Sequence, residues 1–143
     1  MILIGNQRGG GRDLAAHLLK DENDHVMVHE VSGFACENIH GAFKEAHALS
    51  RGTKCKQFLF SLSLNPPADK DLSIQAFEHA IEQVEAKRGL TDQPRVIVFH
   101  EKKGAYGPER RHCHVVWSRI DAKEMKAIQL SHSKLKLVSR HGL

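Results

Sequence analysis

The chain has 143 residues, 41% hydrophobic and 27% charged, a balance that fits one folded domain and excludes a disordered chain. No apolar run approaches the roughly 18 residues of a membrane span. The three cysteines, Cys36, Cys55 and Cys113, are too scattered for a disulfide framework and fit a reducing, cytoplasmic setting. The formal charge of +4 is modest, but the excess is clustered: Arg51 to Lys56, Lys102 and Lys103, Arg110 and Arg111, and the segment from Arg119 to Arg140. That distribution suits a polyanionic partner such as nucleic acid.

In chain order, Met1 to Gly5 reads as a short first strand, with too brief an apolar run for a signal peptide. Gly9, Gly10 and Gly11 end it, and residues 12 to 20 read as a helix. His25 to Val31 alternates apolar and polar residues, as a strand does. From Cys36 the apolar residues Cys36, Ile39, Phe43 and Ala46 recur at helical spacing, with Gly52 as the stop. Lys56 to Leu64 is a strand closed by Asn65, Pro66 and Pro67. Its Phe58, Phe60, Leu62 and Leu64 share one face, and Leu59, Ser61 and Ser63 the other. Ser73 is positioned to cap a helix with the stripe Ile74, Phe77, Ile81 and Val84, stopped by Gly89. Arg95 to His100 and His112 to Ile120 are β-branched runs on either side of a segment containing Gly104, Gly107 and Pro108, which makes them a hairpin. From Ser131 the pattern reads as a final helix. No linker or repeat divides residues 1–143, so the expectation is one α+β domain: a largely antiparallel sheet with helices packed mainly on one face, the other face free for a site.

The chemistry concentrates in the hairpin. His112 and His114, two apart on a strand, project from the same face, while Cys113, Val115 and Trp117 point to the core. His100, at the end of the preceding strand, falls beside them. Three neutral imidazoles at one point suit a divalent transition metal such as Mn²⁺, Zn²⁺, Ni²⁺ or Co²⁺. Glu101 is a candidate base, or a support that orients an imidazole. An ordinary polar-face histidine pair is the alternative for His112 and His114. The seven other histidines outside these strands, apart from His17, have no such spacing and read as surface or capping residues: His25, His29, His40, His47, His79, His132 and His141.

HEKKGAYGPERRHCHVVWSRID, residues 100–121, resembles the third motif of the plasmid mobilisation relaxases, His-hydrophobic-His endonucleases that nick one DNA strand at a transfer origin. GNQRGGGRDLAAHLLK (5–20) resembles the opening motif of that family, and SLSLNPP (61–67) its central strand. The resemblance implies a five-stranded antiparallel sheet with flanking helices, and His100, His112 and His114 as ligands of a divalent metal (Mn²⁺, Mg²⁺, Zn²⁺, Ni²⁺ or Co²⁺). It implies single-stranded DNA at a nick site as partner, other mobilisation or relaxosome proteins as further candidates, and transesterification through a covalent link to the 5′ end of the nicked strand. Relaxases of this family usually continue beyond such a domain, so a C-terminally trimmed fragment is also expected.

The opening motif normally carries a tyrosine nucleophile in a pattern like Ala-x-Tyr-Leu, but here the word is Ala16-His17-Leu18. Three readings stand. His17 is the nucleophile, since imidazole is a competent one; Tyr106, the only tyrosine, attacks from the turn between the metal strands; or the domain acts without a covalent link, as a metal-dependent phosphodiesterase or an inactive nucleic-acid-binding module with a structural metal. His17 is the first choice, with an ordinary solvent-facing helix residue as its alternative. Arg51, Lys54, Lys102, Lys103, Arg110 and Arg111 are expected to line the approach to the metal and contact phosphates without reading sequence. Trp117 could stack on a base, although its face argues for the core.

Overall fold

The alternating segments fold as strands of one sheet, and the segments with helical stripes cover it. In the computed structural model, residues 1–20, 24–67, 72–102, 110–130 and 134–138 are described. The elements are β1 (Ile2–Arg8), α1 (Gly11–Leu18), β2 (Asp24–Ser32), α2 (Ile39–Ser50), β3 (Leu59–Asn65), α3 (Ile74–Arg88), β4 (Arg95–Lys102), β5 (Arg110–Ser118), the short β6 (Ile120–Asp121) and β7 (Lys126–Ala127), and β8 (Lys134–Val138). Five antiparallel strands run in the order β2-β4-β5-β3-β1, and β8 adds a sixth along β1. The α+β architecture with an antiparallel sheet is as the sequence implies. No helix among the described residues is long and apolar enough to cross a membrane.

Alternation along the strands divides the core in two. On one face Phe60, Leu62, Leu64, Ile97, Phe99, Cys113, Val115 and Trp117 pack against Phe77, Ala80, Ile81 and Val84 of α3. On the other, Leu59, Val96, Val98 and Val116 pack against Leu14, Ala15 and Leu18 of α1 and Ile39, Phe43 and Ala46 of α2. Each large apolar side chain removed from water contributes roughly 1.5–3 kcal/mol, so both layers hold the sheet firmly. The face opposite α3 is thus not open along its whole length, because α1 and α2 cover the part where Val96, Val98 and Val116 require apolar neighbours. Phe58 lies just before β3 and joins the α1/α2 layer rather than the face of Phe60.

The helix boundaries have local causes. The Ser73 hydroxyl accepts from the Ala76 N–H at 3.1 Å, and Gly89 ends α3 with φ +71°, a conformation glycine adopts without strain. α2 begins later than its apolar spacing suggests, because the Asn38 side chain accepts from the Gly41 N–H at 2.8 Å and caps it.

The final helix is a correction. Lys134–Val138 forms a strand paired with β1, from Asn6 opposite Lys134 to Ile2 opposite Val138. The word KLKLV alternates with period two, and the outer edge of β1 offers unpaired N–H and C=O groups that such a segment satisfies. Ser131, His132, Ser133 and His141 lie outside the described residues.

Candidate functional site

The β4–β5 pairing builds the histidine cluster. His100 is the register partner of His112, and His114 lies between Val98 on β4 and Ser63 on β3. His112 and His114 share the α1/α2 face with Val116, and His100 shares it with Val98. The rings of His100 and His114 stand edge to face, with centroids 4.8 Å apart. His100 Nε2 donates to the Leu18 carbonyl at 2.7 Å, which fastens the C-terminal end of α1 to the end of β4. His17 is therefore delivered to the cluster by the residue next to it, and its own side chain is exposed.

Asn65 was not singled out as a site residue in the sequence, yet its Oδ1 lies 2.9 Å from His112 Nδ1 and its Nδ2 donates to the Ser63 hydroxyl. With its amide so fixed, Asn65 accepts the Nδ1 proton and leaves the Nε2 lone pair of His112 as the basic one. The only sequence signal was position. Asn65 closes β3 on the same face as Ser61 and Ser63.

Burial first, then the neighbouring rings of His100, His17 and His112, lower the His114 pKa from 6.5 to about 4. His114 is therefore neutral at physiological pH, the form in which imidazole binds a metal. The donor chemistry thus fits a divalent ion: three imidazoles at adjacent positions on one sheet face, one of them held neutral and another oriented by an amide. Among the described residues, however, no three His, Cys, Asp or Glu side chains stand gathered as a finished metal-binding set.

Several expected neighbours are elsewhere. Glu101 faces away from the histidines, because adjacent residues on a strand point to opposite sides. Its carboxylate is bonded by Arg111 at 3.1 Å, and Arg111 also donates to the Leu72 carbonyl and lies over the Phe99 ring. Glu101 is thus not placed as a base for this cluster, and Arg111 does not line its approach. Arg51 and Lys54 border a different cavity, at the Ser118 end of β5. Lys103 and Tyr106 lie outside the described residues, whereas Lys102 and Arg110 are backbone partners at the end of the hairpin. Trp117 is buried and donates its indole N–H to Glu85 at 2.9 Å, a core role. Two histidines assigned to the surface have packing partners: His29 bonds Glu78 at 2.8 Å and His47 stacks on Phe58.

These features define a helix-flanked antiparallel-sheet domain with an imidazole cluster where the first helix meets the central hairpin. The chain matches the MobA/VirD2-like relaxase nuclease domain over residues 15–140, and it belongs to that family. Its general function is accordingly that of a DNA-nicking relaxase domain. Comparison with curated proteins gave no match, and neither did comparison with solved structures.

Proposed function

We propose that this domain nicks single-stranded DNA at a transfer origin by transesterification, with His17 as the nucleophile and His100, His112 and His114 as the ligands of a divalent metal. The observation that carries this reading is the hydrogen bond from His100 to the Leu18 carbonyl, which brings the His17 end of α1 to the three-histidine face. The electrostatic influence of His17 on His114 supports the same proximity.

In this reading His17 attacks phosphorus through a ring-nitrogen lone pair, and the new N–P bond replaces the bond from phosphorus to the 3′ oxygen. The leaving oxygen takes up the proton that the phosphorylated imidazole sheds, giving a free 3′ hydroxyl and a 5′-linked protein. When bound at the three histidines, a divalent cation supplies Lewis-acid polarisation of the scissile phosphate. Asn65 keeps His112 in the tautomer that presents Nε2, and the buried setting of His114 keeps it unprotonated.

The test is incubation with Mn²⁺ and a labelled pool of single-stranded oligonucleotides, followed by a denaturing gel. A covalent adduct is expected, lost in His17→Ala and retained in Tyr106→Phe. Loss only in Tyr106→Phe overturns the nucleophile. Cleavage with no adduct points to a non-covalent phosphodiesterase, and salt-sensitive binding with no cleavage to a binding module.

A further inference from the structure

The cavity at the far end of β5 carries chemistry that the histidine cluster does not use. It has a volume of about 1040 Å³, and its lining includes Arg51, Thr53, Lys54, Arg119, Asp121 and Lys126. It lies between the loop that follows α2 and the β6–β7 hairpin. Arg51, Lys54 and Lys126 are exposed at its rim, and Arg119 is only 6% exposed.

Arg119 is the unusual member. Its Nη1 donates to the Gln57 carbonyl at 2.7 Å and to Gln7 Oε1 at 3.1 Å, and its Nη2 donates to the Ile128 carbonyl at 2.9 Å. These acceptors are neutral. Among the described residues Arg119 makes no ion pair, and its Nε is buried without a hydrogen-bond partner. A buried cation is costly to keep unless a negative charge compensates it. The one carboxylate among the lining residues, Asp121, accepts from the backbone N–H groups of Lys123 and Glu124 and so serves its own turn. Four cations against one carboxylate leave the cavity strongly positive.

The geometry points to a phosphate site: we infer that this cavity takes a backbone phosphate of the DNA strand held at the histidine cluster. The inference rests on the nicking reading above. Arg119 lies five residues beyond His114, roughly 16 Å along the strand direction. At about 3.4 Å per phosphate along one stacked strand, that is on the order of five nucleotides. A second cavity, of about 780 Å³, is bordered by Gly9 to Gly11 and by Arg12 of α1 and Lys44 of α2. The two loops meet where Gly9 approaches the Lys56 carbonyl. Arg12 and Lys44 of this second cavity add positive charge near the Arg119 cavity, which suits a strand held by its phosphates.

The experiment measures the salt dependence of binding to a labelled single-stranded oligonucleotide of on the order of ten nucleotides, long enough to span both places. Arg51→Gln/Lys54→Gln is compared with Lys87→Gln/Arg88→Gln, which removes the same charge from the end of α3. All four positions are surface or part-exposed, and thermal melts confirm folding. The cavity variant is expected to lower the slope of log K against log salt by up to about 0.7, the contribution of one single-strand phosphate contact. The α3 variant is expected to leave the slope unchanged. Equal effects from both variants, or none from either, overturn the cavity while leaving the nicking reading intact. Absence of salt-sensitive binding by the wild-type chain overturns both. Inorganic phosphate provides the last arm: if it shifts the Thr53 and Gln129 amide resonances while the cavity variant binds DNA as wild type does, the site is one for free phosphate and the inference fails.

Discussion

On the α3 face of the sheet, Arg95 meets carboxylates from two directions, Glu30 on β2 and Glu85 on α3 at 2.6 Å. Glu85 then accepts from the Trp117 indole. The result is a closed circuit in which each charged group has its partner. Across the sheet, His114 stands among three other histidines with no carboxylate beside it among the described residues, and gives up its charge instead. The contrast separates two uses of a partly buried ionisable group. Where charges are paired, the group fastens elements together. Where an imidazole is buried among like groups, desolvation first and the neighbouring rings second keep it neutral, which is a disposition for binding rather than for stability. Arg119 extends the contrast, since it is a guanidinium more deeply buried than that of Arg95 but has only neutral acceptors.

The largest effect that tests the comparison is on the paired side. Arg95→Met leaves Glu30 and Glu85 without their cation and is expected to cost about 3 kcal/mol of stability, because removing one partner strands the other. Urea unfolding at pH 7 measures it. The nicking rate of the folded protein should be unchanged, and a stability loss below about 1 kcal/mol would show that the circuit is not what ties β2, β4 and α3 together.

Acid should separate the two faces next. His114 titrates near 4 in the folded chain and near 6.5 when unfolded, so the unfolded state binds the extra proton first. Its contribution is complete above pH 6.5 and is lost as pH falls toward 4, for a total of about 3 kcal/mol at most. On the other face, Arg95 holds the Glu30 carboxyl below its usual 4.5, so that contribution is lost only at lower pH. Stability measured in EDTA should therefore fall in two stages, and His114→Gln should remove the upper one. A wild-type curve that is flat between pH 6.5 and 4.5 would contradict the neutral state assigned to His114.

What the sequence disclosed and withheld follows from the range of the forces involved. The α3 stripe, its Ser73 cap and the His100–His112 hairpin are local patterns, and the chain writes local patterns directly. The β8 strand is also written locally, in the alternation of KLKLV, but a five-residue word is too short to choose between periods without the edge of β1 to pair with. Arg51 and Lys54 could not be placed from sequence, because their cavity closes only when the α2 loop meets residues some seventy positions later, around Lys126. Asn65 is similarly hidden, since its contact with His112 depends on the β3–β5 pairing. The side of the sheet taken by Glu101 is a different matter. Strand alternation alone separates it from His100, so that part of the site was legible from its neighbour.

The smallest effect therefore belongs to Glu101. If Glu101 acted as the base or oriented a ligand, Glu101→Gln would cost at least about tenfold in nicking rate, as the loss of such a support typically does. Its placement opposite the histidines, bonded to Arg111 with both side chains about one-quarter exposed, predicts otherwise. Nicking should stay within about twofold of wild type, a change of less than about 0.5 kcal/mol in the barrier. Stability should drop by no more than about 1 kcal/mol, the upper range for a solvent-screened pair. A tenfold loss of rate with unchanged stability would mean that the carboxylate reaches the histidine face during the reaction, and the division between a structural face and a chemical face would then fail at the hairpin where the two meet.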